Sequence, residues 1–454
     1  MDSKLTVYDD YMDKLETSVL TGQSTALLVD FYELSMAQAA LEAGTADKLA
    51  TFELFARRLP EGRRYGVVSG VSRALEAVEN FRFTEEQLSY IEAQPVINQE
   101  TIQRLREFRF TGKISAYQDG TLYFPYSPIL TVEGTFFECV LLETVLLSIL
   151  NHDSAIASAA SRMVQATRGK FSLIEMGSRR THEYSAVSAA QASYIAGFEA
   201  TSNVEAGMRY GIPVTGTAAH AFTLSFEDEK DAFRAQVKSL GVSTTLLVDT
   251  YDIQQGIRNA IEVAGTELGA IRIDSGDLHE ETVGARNLLD SLGAVNTKVV
   301  LSSDVDEYTI SSWVERGTPV DGAGAGTRVV TGSGHPTAGM VYKLVERESS
   351  TGEMVPVAKK ASGKKSIGGR KFAYRYISNE TGFYTGEVFT SLPFGGGVPE
   401  LDGHSVVAVQ QSSTELLAVG LDEARRNHRL EMTRLPDEAK FAIAGESFIV
   451  AIPA

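Results

Sequence analysis

Polar residues follow many of the apolar runs in the middle of the chain, where a strand would end and a turn begin. Arginines and backbone N–H groups suit phosphate oxygens, whereas carboxylates suit magnesium ions or ribose hydroxyls. Because both chemistries occur together, the set predicts a site for a phosphorylated sugar. The residues concerned are Glu175, Arg179, Arg180, His220, Asp249, Asp252, Arg272, Asp274, Asp277, Ser303, Asp304 and the stretch 322–327.

His220 is the residue in this set that is best suited to covalent chemistry. It directly follows the run PVTGTAA, whose last small residues leave open space around the imidazole ring. A histidine among phosphate-binding groups can act as a base or as a phosphoryl acceptor. A carboxylate on the other ring nitrogen would orient it, and Asp249 is the candidate. The competing interpretation is a structural histidine satisfied by backbone groups.

The stretch DGAGAGT contains Gly324 and Gly326 and comes late in the series of apolar runs. In β/α barrels the last strand-to-helix turns often hold a phosphate group. Glycines allow backbone N–H groups to approach phosphate oxygens closely. The stretch therefore predicts a phosphate-binding loop, with an ordinary tight turn as the alternative.

The elements that would position these residues are repeated strand-turn-helix units between about residues 126 and 345. Successive apolar runs start roughly 20 to 40 residues apart, as such units require, and helical patterns fill the gaps. Parallel strands of this kind form either an open doubly wound sheet or a closed barrel. The first turn lacks a dinucleotide-binding glycine fingerprint, which favours an irregular TIM-like β/α barrel. The runs are SPILTVEG, FSLIEMGSR, IPVTGTAAH, TTLLVDTYD, GAIRIDSGD, KVVLSSDVD and PVDGAGAGT.

The flanking segments have a different, mixed α and β pattern. Residues 1–125 combine the helical stretch FYELSMAQAALEAG with the strand-like TFELFA, and residues 346–454 contain strand-like FAYRYISN and HSVVAVQQ. We expect a catalytic barrel over residues 126–345 and a second α+β domain, in which the C-terminal segment packs with the N-terminal one.

Composition restricts the possible partners. A formal net charge of −17 opposes nucleic acid and anionic membranes in the absence of a strong basic patch. Cys139 is the single cysteine, so an internal disulfide is excluded and a reducing cytoplasm fits. The apolar run FFECVLLETVLLSIL is too short to span a bilayer and predicts a buried amphipathic helix. HExxH, GxSxG and Walker A motifs are absent from the sequence.

Read together, these segments resemble the nicotinate phosphoribosyltransferase family over nearly the whole chain. The shared motifs are LLVDFYELSMAQA, FELFARRLP, EMGSRRTHE, GTAAHAF, LLVDTYD, IRIDSGDL, SSDVDEY and GAGTRVVTG, in the family's order. The resemblance implies that nicotinate and phosphoribosyl pyrophosphate give nicotinate mononucleotide and pyrophosphate. It also implies ATP as a co-substrate, hydrolysed through a phosphohistidine, and Mg²⁺ as the cofactor.

The same resemblance assigns roles to individual residues. His220 matches the phosphohistidine, and Tyr32 matches a tyrosine that stacks on the pyridine ring from the other subunit of a homodimer. Arg179 and Ser202 match the pyridine pocket. Asp249, Arg272, Asp274 and Asp304 match residues around the ribose, the phosphate and the phosphohistidine, while Gly324 and Gly326 match the 5′-phosphate loop. Lys359, Lys360 and Lys364 are candidates for pyrophosphate contacts, although Gly368-Gly369 replaces the family's usual Pro-Gly nearby.

Three alternatives stay open at this level. The related nicotinamide phosphoribosyltransferases have an aspartate where Ser202 stands, and a carboxylate there would repel an acid substrate. A phosphosugar aldolase or isomerase would need a lysine or a general-base glutamate at a strand end, and no run ends in lysine. A non-catalytic metabolite-binding protein would differ only in the absence of turnover.

Overall fold

The computed structural model describes residues 23–359, 366–393, 397–409, 411–412, 420–441 and 445–454. The strands are β1 (Leu49–Ala56), β2 (Gly66–Val67), β3 (Lys113–Ala116), β4 (Leu122–Tyr123), β5 (Leu130–Thr135), β6 (Ser172–Glu175), β7 (Ala200–Thr201), β8 (Thr245–Leu247), β9 (Ala270–Ile273), β10 (Lys298–Ser303), β11 (Gly322–Ala325), β12 (Met340–Glu348), β13 (Met354–Pro356), β14 (Phe372–Ser378), β15 (Tyr384–Thr390), β16 (His404–Ala408), β17 (Gln411–Ser412) and β18 (Ile452–Pro453). The helices are α1 (Phe31–Glu42), α2 (Val71–Glu79), α3 (Glu85–Glu92), α4 (Gln99–Arg106), α5 (Phe136–Val140), α6 (Glu143–Ala166), α7 (Glu183–Ile195), α8 (Val204–Tyr210), α9 (His220–Leu224), α10 (Glu229–Leu240), α11 (Ile253–Ala264), α12 (Leu278–Ser291), α13 (Glu307–Arg316), α14 (Thr327–Val330), α15 (Leu421–Thr433) and α16 (Asp437–Lys440).

The chain forms two compact units, one from residues 1–158 with 335–454 and one from residues 159–334. In the first unit, β1 pairs antiparallel with β12, and β3 pairs with β17, so N-terminal and C-terminal segments share one six-stranded sheet. This confirms the expectation that the two ends of the chain build a second domain together.

The run SPILTVEG belongs to this first unit, which corrects the prediction that it is the first strand-turn-helix unit of the barrel. It forms β5, which pairs antiparallel with both β1 and β3. An antiparallel central strand covered on both faces is as apolar as a parallel one, so the run's composition could not distinguish the two.

A buried ionic cluster in the first unit connects the sheet that contains β14 to residues outside that sheet. The Arg375 guanidinium on β14 lies between the carboxylates of Glu387, at 2.8 Å, and Glu431, at 2.5 Å. Tyr117 and Tyr384 donate their hydroxyls to these same carboxylates. Because Arg375 is only 1% exposed in its side chain, the charges are compensated within the cluster rather than by solvent.

The second unit contains a six-stranded parallel sheet in the order β7-β6-β11-β10-β9-β8. The last strand of the series, β11, pairs with the first, β6, which a barrel requires and a doubly wound sheet does not show. Beyond β7, Val214 forms a single parallel bridge with Thr201. In the described residues no ladder joins Val214 to β8, so the barrel is irregular and open along that seam.

Two local predictions in this unit were wrong. The run IPVTGTAAH contributes only the bridge at Val214 rather than a full strand. The stretch AAQASYIAGFEA has a helical pattern throughout, but α7 ends at Ile195, because Gly197 has φ 115°, and the two-residue strand β7 follows.

In the first unit, the apolar run around Cys139 was predicted to form one buried helix. It forms α5 and the beginning of α6, with a break at Leu141 and Leu142.

None of the helices in the described part of the chain is both long and apolar enough to cross a membrane.

Candidate active site

The pairing register of the parallel strands brings the polar turns of the second unit to one level. Leu247 on β8 pairs with Arg272 on β9, so Asp249 and Asp274, each two residues further along, lie side by side. The same register continues into β10, where Ser302 lies next to the Asp274 carboxylate. The pairing register therefore determines which side chains at the strand ends contact each other.

These turns surround a cleft of about 560 Å³. Ten of the predicted residues line it, namely Arg179, Arg180, Ser202, Arg272, Asp274, Ser303, Asp304, Gly324, Gly326 and Thr327. The remaining lining residues are Met176, Ser178, Gly216, Thr217, Ala218, Ala219 and Ser302. The cleft combines arginines and backbone groups with carboxylates, as a phosphorylated sugar requires.

His220 is the first residue of α9 and immediately follows Ala219 at the edge of this cleft. Its Nε2 atom lies 3.1 Å from Oδ1 of Asp249, whose side chain is completely buried. Nδ1 has no hydrogen-bond partner among the described residues, and the His220 side chain is 39% exposed. The arrangement leaves one ring nitrogen oriented and the other accessible.

The second oxygen of Asp249 is also occupied. Oδ2 accepts hydrogen bonds from the backbone N–H of Asp274 and from the hydroxyl of Ser275, each at 2.8 Å. With an N–H of the His220 ring directed at Oδ1, three donors surround this buried carboxylate. This network defines the orientation of Asp249 and, through it, of the imidazole.

Arg272 and Asp274 extend the network across the floor of the cleft. Arg272 donates to the hydroxyl of Thr217 and to the carbonyl of Ala218, in the segment that leads to His220. Asp274 accepts a 2.7 Å hydrogen bond from Ser302 and lies 4.0 Å from the guanidinium of Arg272. Burial lowers the pKa of Arg272 below its ordinary value, while Asp274 and Asp249 act in the opposite direction.

Glu175, at the end of β6, connects the two turns that carry Arg179 and Ser202. Its carboxylate accepts from the backbone N–H of Gly177 and from the hydroxyl of Thr201. Its backbone carbonyl accepts from the N–H of Ser202 at 2.8 Å. Burial raises the pKa of the Glu175 carboxyl, and these hydrogen bonds partly offset that effect. Glu175 is therefore a support for the cleft wall rather than a lining residue.

Gly324 and Gly326 bring backbone to the cleft where a side chain would press against Met176. A Cβ atom at Gly324 would lie 2.5 Å from Sδ of Met176, and one at Gly326 would lie 3.3 Å from the Met176 carbonyl. The absence of side chains leaves the end of β11 open for approach by a ligand.

Some sequence candidates lie elsewhere. Asp252 and Asp277 accept backbone N–H groups as N-caps of α11 and α12, the ordinary role for aspartate at such positions. Tyr32, 44% exposed on α1, and the exposed Lys359 belong to the first unit. Lys360 and Lys364 lie outside the described residues.

Ser275, Ser302, Ser178 and Met176 were missed by sequence reasoning, although each adjoins a recognised motif residue. Serines in turns are common, so their type carries no signal by itself. Their contacts follow from strand register, because Ser302 pairs with Gly324 and contacts Asp274. A sequence search for small polar residues next to the strand-end aspartates would have included Ser275 and Ser302.

Comparison with a family model and with known proteins indicates one enzyme family. Residues 27–151 match the family model described as the nicotinate phosphoribosyltransferase N-terminal domain. The chain is 56% identical over 370 residues to nicotinate phosphoribosyltransferase pncB1 of Mycobacterium tuberculosis, covering 80% of each protein. It is 40% identical over 365 residues to the nicotinate phosphoribosyltransferase of Bacillus subtilis, covering 78% of this chain and 74% of that one.

Among solved structures, human nicotinic acid phosphoribosyltransferase shares the fold, with a TM-score of 0.77 and 24% identity over 93% of this chain and 97% of that one. The irregular barrel with a second domain, predicted from the sequence, is thus confirmed by the strand order and by a known fold. On the extent of sequence identity to its bacterial relatives, the chain belongs to the nicotinate phosphoribosyltransferase family.

Proposed function

We propose that this enzyme joins nicotinate to phosphoribosyl pyrophosphate, and that a phosphohistidine at His220 couples the reaction to ATP hydrolysis. The observation that carries the coupling is the hydrogen bond from His220 to the buried Asp249, which is itself held by Asp274 and Ser275. An oriented imidazole with a free nitrogen beside a cleft of phosphate-binding character is suited to accept a phosphoryl group.

The phosphoryl step uses the accessible nitrogen. With Nε2 protonated and donating to Asp249, the lone pair of Nδ1 attacks the γ-phosphorus of ATP. The bond from phosphorus to the bridging oxygen breaks, and ADP departs with its electron pair. Water later attacks the phosphorus, which releases phosphate and restores the neutral imidazole. Asp249 stabilises the positive charge that the ring carries while it is phosphorylated.

The ribosyl step occupies the floor of the cleft. The pyridine nitrogen of nicotinate attacks C1 of the ribose as the bond from C1 to pyrophosphate breaks. The transition state carries positive charge on the sugar, which the carboxylate of Asp274 would stabilise. Gly324 and Gly326 would hold the 5′-phosphate through backbone groups, while Arg179 and Ser202 would bind the nicotinate carboxylate.

Magnesium fits this donor set. In the described part of the chain, no group of three or more His, Cys, Asp or Glu side chains is arranged to hold a metal alone. Mg²⁺ is commonly bound by one or two carboxylates together with substrate phosphates and water. Asp274 and Asp304 both line the cleft and are the residues that would hold it. When bound, the ion would neutralise charge on the departing pyrophosphate.

The remaining elements of the proposal concern assembly and location. A homodimer with shared active sites would bring Tyr32 of the partner subunit onto the pyridine ring, and Lys359 and Lys364 would contact pyrophosphate. A cytoplasmic location, without nucleic acid or membrane partners, stays a prediction from composition.

The deciding experiment is an assay of the purified protein with nicotinate and nicotinamide side by side. Phosphoribosyl pyrophosphate and magnesium are present throughout, and ATP is present or absent. The proposal requires mononucleotide formation from nicotinate that ATP stimulates. Turnover of nicotinamide in preference, or no turnover of either, would contradict it.

Ser202→Asp is expected to shift the preference from nicotinate toward nicotinamide. Ser202 lines the cleft, and a carboxylate there would oppose the substrate carboxylate and accept from an amide. Like-charge contacts at a recognition site cost enough to change the ratio of the two kcat/KM values by about 10- to 100-fold.

Ser303→Asp is the matched control, because it adds the same charge to the same cleft at the end of β10. It should raise the KM for phosphoribosyl pyrophosphate and leave the nicotinate-to-nicotinamide ratio unchanged. An unchanged ratio in Ser202→Asp would show that Ser202 does not face the pyridine carboxylate.

Tyr32→Ala is expected to raise the KM for nicotinate more than that for phosphoribosyl pyrophosphate, because the lost contact is stacking on the ring. Stacking of aromatic rings contributes about 0.5–1.5 kcal/mol beyond area burial, so a rise of roughly 2- to 12-fold is expected. Steady-state kinetics with each substrate varied separately measures the difference.

A mixing experiment tests whether the site is shared. Subunits carrying Tyr32→Ala are exchanged with subunits carrying His220→Asn, and the exchange is verified by mass spectrometry. Random exchange in a two-fold symmetric dimer makes about a quarter of the sites complete. Because Tyr32→Ala is expected to change mainly the KM for nicotinate, rates are measured over a range of low nicotinate concentrations. Appearance of sites with the wild-type KM after exchange supports placement of Tyr32 across the interface, and their absence contradicts it.

A further inference from the structure

Ser178 lies in the cleft wall next to the residues that are proposed to bind the nicotinate carboxylate. It lines the cleft and immediately precedes Arg179 in the turn after β6. Its Oγ atom lies 2.9 Å from Nδ2 of Asn203, which immediately follows Ser202 in the turn after β7. This hydrogen bond therefore connects the two turns that form the proposed pyridine pocket.

The direction of this hydrogen bond follows from the other end of the Asn203 side chain. Oδ1 of Asn203 accepts the backbone N–H of Ala206 at 2.9 Å and so caps the start of α8. A backbone N–H can only donate, so the amide oxygen must face Ala206 and the NH₂ group must face Ser178. The hydroxyl oxygen of Ser178 is therefore the acceptor in this contact.

The backbone on both sides of the contact is also held in place. The N–H of Asn203 donates to Oγ1 of Thr201 at 3.0 Å, and the Thr201 hydroxyl donates to the buried carboxylate of Glu175. The same carboxylate accepts from the N–H of Gly177, the residue before Ser178. One buried glutamate thus fixes both turns, and the two partners of the hydrogen bond have little freedom to move apart.

The Ser178 hydroxyl has one hydrogen to donate, and its contact with Asn203 does not use that hydrogen. In the part of the chain that the structure describes, no group accepts it. Because the hydroxyl oxygen faces the NH₂ group of Asn203, the hydrogen must point away from Asn203. Since Ser178 lines the cleft, a ligand there can supply the missing acceptor.

A carboxylate is the ligand group that suits this arrangement of donors. Both of its oxygens accept hydrogen bonds and neither donates, so it can accept from Ser178 and Arg179 together. Hydrogen bonds to an ionised acceptor are also stronger than those between neutral groups. An amide would offer these two residues one oxygen and one NH₂ group, which cannot accept. The geometry thus favours an acid over the corresponding amide.

We propose that Ser178 is a substrate-binding residue whose hydroxyl donates to the carboxylate of the pyridine substrate, and that Asn203 is a positioning residue that directs this hydroxyl. The inference rests on the proposed use of nicotinate and adds a determinant of the preference for the acid. Arg179 supplies the charge, whereas Ser178 supplies a donor that is oriented before the substrate arrives. A preoriented donor binds its acceptor without the cost of ordering it.

The first test is Ser178→Ala, which removes the donor and keeps the rest of the turn. The KM for nicotinate is expected to rise about 10- to 100-fold, because a hydrogen bond to a charged group is lost. The KM for phosphoribosyl pyrophosphate and kcat should change less than about twofold. Nicotinamide has a neutral oxygen and should lose less, so the ratio of kcat/KM for nicotinate to that for nicotinamide should fall about 5- to 10-fold.

Two further variants separate the lost donor from a general disturbance. Ser178→Thr keeps a hydroxyl and should keep the KM for nicotinate within about threefold of the wild type. Ser291→Ala is the matched control, because it removes a hydroxyl at the end of α12 in the same unit, where Oγ donates to the carbonyl of Leu288 at 2.7 Å. Ser291 is not among the residues that line the cleft, so its kinetics should be those of the wild type. Thermal unfolding of every variant reports any loss of fold.

The role of Asn203 is tested with Asn203→Ser. Serine caps helices about as well as asparagine, so α8 keeps its N-cap, but the shorter side chain no longer reaches Ser178. The Ser178 hydroxyl then has no fixed direction, and the KM for nicotinate should rise about 2- to 5-fold. The double variant should have the same KM as Ser178→Ala alone, because Asn203 acts through the hydroxyl that has been removed.

A binding measurement does not depend on turnover. Equilibrium dialysis with radiolabelled nicotinate or nicotinamide, without phosphoribosyl pyrophosphate, gives the dissociation constant of each compound. Ser178→Ala should weaken the binding of nicotinate by about 10- to 100-fold and that of nicotinamide by less.

Failure of this inference is distinguishable from failure of the proposed function. If the wild type forms no nicotinate mononucleotide, the function is wrong, and dialysis still decides whether Ser178 binds the carboxylate. Equal binding of nicotinate by the wild type and Ser178→Ala would overturn the inference. An increase in the KM for phosphoribosyl pyrophosphate instead of nicotinate would overturn it as well, since Ser178 would then contact a phosphate group. A further rise in KM on adding Asn203→Ser to Ser178→Ala would overturn the positioning role of Asn203.

Discussion

Replacement of His220 by Asn is expected to abolish both phosphorylation of the enzyme and nicotinate-dependent ATP hydrolysis. The imidazole is the group beside the cleft that combines a nucleophilic nitrogen with an orienting carboxylate, through the contact between Nε2 and Asp249. Asn has no nitrogen lone pair able to form a stable phosphoramidate. Removing a catalytic nucleophile lowers turnover by at least about 10³-fold. Mononucleotide synthesis should persist only as a slow reaction that ATP no longer stimulates.

The measurement uses γ-labelled ATP with magnesium. The wild type should retain a label that acid removes and base does not, as expected of a phosphoramidate, and His220→Asn should retain none. His279→Asn is the matched control, because His279 lies in the same unit but its Nδ1 atom contacts the Thr318 hydroxyl instead of a carboxylate. Wild-type rates of nicotinate-dependent ATP hydrolysis in His220→Asn would rule out the phosphohistidine mechanism.

The fold was predictable from the sequence where local pattern and tertiary packing agree. The helical stretches at Phe31–Glu42, Glu229–Leu240 and Ile253–Ala264 have apolar residues at helical spacing and glycine near their ends, and all three form helices. Strand pairing depends on contacts distant in sequence, so the apolar run at Leu130–Thr135 gave no sign that it pairs antiparallel. The strand Ala200–Thr201 has two residues, too few for any periodicity.

For the candidate site, the sequence was sufficient to predict which strand ends carry the functional side chains. Parallel strands expose their carboxyl ends on one side, so Asp249, Arg272 and Asp274 were expected to meet. The contacts themselves depend on register, which a single sequence does not contain. Asp249 reaches the backbone N–H of Asp274 because Leu247 pairs with Arg272, and a shift of one residue would break that contact.

Replacement of Asp249 by Asn should nearly abolish phosphorylation of His220, although the change is isosteric. Oδ2 of Asp249 accepts from two donors, the N–H of Asp274 and the hydroxyl of Ser275. In the Asn side chain, the amide oxygen must occupy this position, since an NH₂ group there would face two donors. The NH₂ group then faces Nε2 of His220, which has to become an acceptor. The ring proton moves to Nδ1, and the nitrogen proposed to attack ATP no longer has a lone pair.

A wrong imidazole tautomer of this kind lowers kcat by about 10⁴-fold in the comparable aspartate–histidine arrangement of serine proteases. The rate of label incorporation from γ-labelled ATP is the direct measurement, with thermal unfolding as a check on the fold. Asp277→Asn is the matched control, because it is the same substitution in the same unit of the protein. Asp277 accepts backbone N–H groups at the start of α12. Asn caps helices about as well as Asp, so this variant should incorporate label at close to the wild-type rate. Incorporation in Asp249→Asn within tenfold of the wild type would mean that Asp249 does not set the tautomer of His220, and that the proposed attack by Nδ1 is wrong.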